Sequence, residues 1–277
     1  MRSSPSRVSV TALTLSINGV FALDPGFLYG GGGGAYIAVP LSILLSLLIS
    51  RALLKLIPDR RRPPAALRVL LCLGLAAFPA LALRTFLHAL QTLVYDAGAV
   101  GLLAFILPAV LYIALRGDEV AAWTSRCFAL ALVLSLAVSV AFSASGFQTY
   151  RLYPLPTGNI PHLVGLTLLC TPAFVPPLLA AGLAEGEART PTVSALISCA
   201  VTGAALFASA LCFPAQMLEN MPMPLYAAGA LDPRQSFILR LDKLFIMLWL
   251  GGDMIALAHA LALGARLLKA EKSEVRA

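Results

Sequence analysis

The feature that most constrains this chain is the recurrence of long, nearly charge-free apolar blocks, separated by short stretches where Arg, Asp, Glu, Pro and Gly collect. A helix of about 20 apolar residues matches the hydrocarbon thickness of a bilayer. Blocks near 8–23, 36–56, 67–92, 98–115, 122–143, 162–184, 192–213 and 238–265 fit that requirement, so the sequence predicts an all-α integral membrane protein with about eight transmembrane helices. Composition agrees: 59% of the 277 residues are apolar and 12% are charged, more apolar surface than a water-soluble core needs. No stretch is left for a soluble domain, and 1–277 reads as a single polytopic membrane domain.

The formal net charge of +7 raises nucleic acid as a partner, but the Lys and Arg residues lie between apolar blocks rather than in an aromatic-interleaved patch. Topology accounts for them better. Counted on alternate connections, starting with Arg2 and Arg7, fifteen of the twenty Lys and Arg residues fall on one side; the other side holds Arg151 and Arg234. The positive-inside rule then predicts cytoplasmic N- and C-termini. The first block also permits a secretory signal reading, with Val20-Phe21-Ala22 as a cleavage site. The chain enters more membrane rather than a secreted domain, which favours a retained helix.

Cys72, Cys127, Cys170, Cys199 and Cys212 are an odd set without CxxC spacing and read as small packing residues. His88, His162 and His259 form no metal-ligand pattern, and no cofactor motif is present. Gly30 to Gly34 lacks the Lys-Ser or Lys-Thr of a phosphate loop and reads as an external turn. An enzyme reading rests on Asp96 and Asp253, whose settings resemble intramembrane aspartyl protease motifs. Position 250 is Leu where that motif needs Gly, and Asp96 falls in an external turn while Asp253 is mid-membrane, so no enzyme is expected.

Two blocks look interrupted. In the sixth, Thr171-Pro172-Ala173-Phe174-Val175-Pro176-Pro177 removes three backbone donors, and each interior proline costs a helix about 3 kcal/mol. In the first, Asn18, Gly19, Asp24, Pro25 and Gly26 are polar or helix-breaking. Interrupted helices at corresponding places mark midplane substrate sites in inverted-repeat transporters; kinked packing helices are the equal alternative. In the last block Asp253 follows Gly251-Gly252 near the centre of the apolar stretch Leu244 to Leu263. An ionised carboxylate there costs about 3 kcal/mol, so it faces a cavity, a partner or a proton, or makes one interhelical packing bond. Asp242, Trp249 and Asp253 share a narrow arc of that helix. Arg84 in the third block poses a similar question, with snorkelling as its alternative.

The run from Phe237 to Trp249, with Arg240, Asp242 and Trp249 at its key places, resembles the Arg-x-(Asp/Glu)-x-(Leu/Phe)…Trp signature of endospore germination permeases. These are the B subunits of nutrient germinant receptors, within the amino acid-polyamine-organocation superfamily. Leu115 to Ala121 with Arg126, Leu152 to Pro156 with Gly158 and Pro161, and Phe213-Pro214 with Arg234-Gln235-Ser236 are similar to further segments of that family, in the same order, over roughly 8–268.

The resemblance implies a five-plus-five inverted-repeat fold, here a truncated relative because the family has ten spans, located in the inner membrane of a bacterial spore or in the cell membrane. It implies a small germinant such as an amino acid, and A and C subunits as partners. The ligand-binding residues expected are Asp24, Pro25, Gly26, Gly165, Thr167, Thr171, Phe174, Trp249 and Asp253, with Arg84, Arg240 and Asp242 gating or coupling. A proton-coupled amino acid permease with Asp253 titrating is the alternative, and a non-catalytic membrane assembly subunit is a third.

Overall fold

Backbone N–H and C=O groups in hydrocarbon must pair within their own segment, which leaves the helix as the economical local structure for each apolar block. The computed structural model describes residues 5–23, 28–29, 34–57, 63–89, 91, 99–152, 159–185, 189–221, 223–224, 227 and 241–272, and every regular element among them is helical. Helix α1 is Pro5–Ile17 and continues as a π turn, Asn18–Ala22; α2 is Ala35–Leu56, α3 Ala65–Ala89, α4 Ala99–Arg116 and α5 Asp118–Ser143. Then come α6, Ile160–Cys170, a 3₁₀ turn at Thr171–Ala173, α7, Val175–Glu185, α8, Arg189–Cys212, the short α9, Ala215–Leu218, and α10, Leu241–Lys272.

Among the described residues five stretches are long and apolar enough to cross a membrane: Ala35–Leu56, Ala65–His88, Glu119–Ala141, Arg189–Cys212 and Phe245–Leu267. A sixth is the pair Ile160–Ala173 and Val175–Ala184, bent by 44° at its break. The other two expected blocks correspond to shorter apolar helical stretches, Arg7–Ala22 and Ile106–Arg116. Among the described residues the chain is thus all-helical with five candidate membrane helices, as in a multi-pass membrane protein.

Burial is distributed as a bilayer solvent demands. Leu130, Val133 and Leu134 on α5 and Leu70 and Leu73 on α3 are exposed, whereas Ser16, Ser42, Ser46, Ser194, Ser198, Thr202 and Ser209 are buried. Small hydroxyl residues let helices approach closely and bond across the gap. Ser198 Oγ donates to the Ala12 carbonyl at 2.8 Å, and Ser194 Oγ to that of Val8 at 3.1 Å, fastening α8 to α1.

Two of the four apolar clusters among the described residues hold most of the buried interior. One gathers residues of α1, α3, α5 and α10, including Phe21, Phe86, Leu132 and Trp249; the other gathers α2, α6 to α8 and the middle of α1, including Leu15, Ile43, Phe174 and Leu178. Helix α1 lies between them, packed on α8, α5 and α10, with its π turn on α3. The α4–α5 junction is one residue long. Gly117 makes it with φ at +99°, a backbone conformation closed to side-chain-bearing residues.

Candidate functional site

The three prolines of the α6–α7 break determine its chemistry. Pro177 has no N–H to offer the carbonyl four residues earlier, so Ala173 must find a donor from another helix. Asn18, first residue of the π turn, supplies it: Nδ2 donates to the Ala173 carbonyl at 2.8 Å. Helix α2 tends the same break through serines four residues apart. Ser46 Oγ reaches the Thr171 carbonyl at 3.1 Å and Ser50 Oγ reaches that of Val175 at 3.4 Å. The Thr171 carbonyl also accepts from the Phe174 N–H at 3.0 Å.

Close approach makes this possible. A Cβ at Gly19 would lie 2.8 Å from Thr202 Cγ2, 3.2 Å from Val39 Cγ1 and 3.5 Å from Phe174 Cε1, so only glycine lets the π turn press on α2, α8 and the break together. Phe174 is fully buried at this crossing. The two interruptions therefore meet, and polar side chains of the protein itself fill much of the bonding capacity there. Asn18 Oδ1, by contrast, has no hydrogen-bond partner among the described residues.

The expected residues distribute unevenly around this crossing. Thr171 and Phe174 are in the break, with Thr171 Oγ1 donating to the Thr167 carbonyl and Thr167 Oγ1 to that of Leu163. Gly165 lies further up α6, with nothing within 4 Å of a Cβ placed there. Trp249 is in the α10 core: its ring is 5.1 Å from that of Phe21 and 5.8 Å from that of Phe245, and Nε1 donates to Ser135 Oγ at 3.2 Å. Asp253, one turn on, is 0% exposed, and neither carboxyl oxygen has a hydrogen-bond partner among the described residues. Arg84 is exposed on α3. Asp24, Pro25, Gly26 and Arg240 lie outside the described residues, as does Asp96, and Asp242 is described only as a helical position.

Asn18 was legible in the sequence as a polar residue in an apolar block, yet its role as a donor to the break was not. Ser46 and Ser50 carry a weaker signal, a four-residue serine spacing that an amphipathic lining or a packing seam would share. Two cavities lined by described residues lie elsewhere. One, about 20 Å³, is bordered by Arg7, Thr11, Thr190 and His259; the other, about 10 Å³, by Phe21, Tyr29 and Ser209. No group of three or more His, Cys, Asp or Glu side chains able to hold a metal occurs among the described residues.

These elements define a class: helical membrane proteins whose interrupted helices meet in the interior. Beyond that class, no protein-family model, no curated protein and no solved structure matches the chain.

Proposed function

We propose that this chain is the membrane subunit of a nutrient germinant receptor, an eight-span bundle with both termini cytoplasmic. It binds a small germinant such as an amino acid and passes the signal to A and C subunits in the spore inner membrane. The observation that carries the reading is the Asn18–Ala173 hydrogen bond, which joins the interruption of the first apolar segment to that of the sixth. Discontinuous helices that meet in this way present backbone groups to small polar ligands in inverted-repeat transporters. Helix N-termini attract the carboxylate of such a ligand and exposed carbonyls its amino group.

In this reading Asp24 to Gly26 and the segment from Gly165 to Phe174 contact the germinant, with Trp249 and Asp253 behind them. Binding shifts the packing of α6 and α7 against α3 and α10, a change in population that partner subunits read. Arg84, Arg240 and Asp242 couple that shift. The test is germination of spores lacking the protein, scored by loss of refractility over a panel of amino acids, sugars and nucleosides. A selective loss restored by the intact gene, and not by Phe174→Trp, supports the reading; an unchanged response to every nutrient overturns it.

A second reading, a proton-coupled amino acid permease, draws on the unpartnered carboxyl of Asp253. It expects labelled amino acid to accumulate in vesicles under a pH gradient, and accumulation to vanish in Asp253→Asn.

A further inference from the structure

Helices α2 and α8 lie antiparallel along one seam. Tyr36 meets Phe207 edge-on with 5.6 Å between ring centroids, and Cys199 Sγ reaches the Pro40 carbonyl at 3.5 Å. A Cβ at Gly203 would stand 3.5 Å from Pro40 Cγ, and Arg51 Nη2 donates to Thr192 Oγ1 at 2.7 Å. Beyond that last bond both helices run out to the end of their apolar stretches, Ala35–Leu56 and Arg189–Cys212. Lys55 follows Arg51 by four residues on α2, and Arg189 precedes Thr192 by three on α8. Each step is about one helical turn along the same face. Three exposed cations, Arg51, Lys55 and Arg189, therefore gather at one end of the seam.

The bond from Arg51 goes to a neutral hydroxyl, which holds the guanidinium in place without offsetting its charge. The flanking sequence adds to that charge. Residues 51–62 hold five Lys or Arg against one Asp, and residues 185–189 hold one Arg against two Glu, an excess of three positive charges. Towards the bilayer interior the seam turns apolar. Leu44 and Leu48 on α2 lie within about 60° of Arg51 in helical phase, and Leu196 on α8 lies about 40° from Thr192. All three leucines are exposed. A cationic end that continues inward as an apolar seam is the complement of an amphiphile with an anionic head.

We propose that the α2–α8 seam seats an anionic glycerophospholipid, with its phosphate on Arg51, Lys55 and Arg189 and an acyl chain along Leu44, Leu48 and Leu196. Guanidinium groups match phosphate oxygens with paired N–H donors, and an ammonium adds a point charge. Basic positions between membrane helices near the bilayer surface recur as sites for anionic headgroups. A zwitterionic headgroup brings its own cation to a positive cluster and fits less well. Arg51, already fixed by Thr192, gives up little freedom on binding, which favours a defined seat over a diffuse lipid shell. The lipid also bears on the α6–α7 break. Ser50, next to Arg51, reaches the Val175 carbonyl at 3.4 Å, so a lipid that ties α2 to α8 steadies the hydroxyl that serves the start of α7. This goes beyond the germinant reading and does not depend on it.

The experiment is thermal unfolding of the purified full-length protein in detergent, followed by tryptophan fluorescence, with short-chain phosphatidylglycerol, short-chain phosphatidylcholine or inorganic phosphate added at one ionic strength. Phosphatidylglycerol should raise Tm by about 3–6 °C at ten times its Kd, with phosphatidylcholine and phosphate leaving it within about 1 °C of the lipid-free value. Lys55→Gln combined with Arg189→Gln leaves the Arg51–Thr192 bond in place. That double variant should raise the half-saturating phosphatidylglycerol concentration about tenfold or more. Arg126→Gln, which removes an exposed cation from α5 instead, should leave that concentration unchanged. No response to phosphatidylglycerol overturns the proposal, as does an equal response to phosphatidylcholine or to inorganic phosphate. So does an increment that persists unweakened in the double variant, or one that Arg126→Gln weakens as much.

Discussion

Asn18 and Ala173, 155 positions apart in sequence, are joined by a 2.8 Å hydrogen bond in which a side-chain amide replaces the backbone donor that Pro177 lacks. The bond sits where two interrupted apolar segments cross, so its energetics can be measured apart from any ligand.

Asn18→Ala should destabilise the protein by about 1–3 kcal/mol, the cost of leaving a buried carbonyl without a donor. Pro177→Ala returns a backbone N–H to position 177, four residues after Ala173. The cost of Asn18→Ala should then fall by about 1 kcal/mol or more in the Pro177→Ala background. A double-mutant cycle by unfolding in detergent checks it; additive losses would mean that Asn18 and Pro177 do not serve the same carbonyl.

Two glycines should respond oppositely to alanine. At Gly74 a Cβ would lie 2.6 Å from Cγ and 3.1 Å from Cβ of Pro176, a ring that cannot swing away, so Gly74→Ala should cost about 1–3 kcal/mol. At Gly165, inside α6 with nothing within 4 Å, Gly165→Ala should stabilise by about 0.5–1 kcal/mol. Melting temperatures of the two variants, moving in opposite directions from wild type, test both.

Trp249→Phe keeps most of the aromatic packing on Phe21 and Phe245 but removes the Nε1 donor to Ser135 Oγ. Ser135 retains its own bond to the Leu132 carbonyl, so the loss should be about 1 kcal/mol. Adding Ser135→Ala should bring little further cost, measurable by denaturant unfolding of the single and double variants.

Much of the fold is legible because the bilayer reads sequence locally. Contiguous apolar residues make the five long helices visible, and the proline run makes the α6–α7 bend visible. The site is less so. Asn18 and Gly19 mark a weak point in α1, but nothing near them in sequence names Ala173, Thr202 or Phe174 as their neighbours. Helical phase groups Trp249 with Asp253, yet phase alone does not tell which side of α10 meets Phe21 and which is left uncompensated. Pairings across more than a hundred residues leave no periodic trace in either partner.

Tyr29, in the connection between the first two apolar blocks, is 1% exposed and its hydroxyl has no partner among the described residues; burial pushes its pKa above the usual tyrosine range. The raised folded-state value means that its contribution to stability is intact below the unfolded pKa of about 10 and declines as pH rises beyond it. Tyr29→Phe should therefore flatten the alkaline fall in Tm between about pH 10 and 11. An unchanged slope would show that other groups govern it.

The serine fasteners between α1 and α8 set an order of events during synthesis. Ser198 and Ser194 are made 186 residues after the carbonyls they bond, those of Ala12 and Val8. Helix α1 is made first and gains these two bonds only after α2 to α7 and then α8 have been translated. A chain that stops short of α8 lacks both serines and leaves the Val8 and Ala12 carbonyls without these donors.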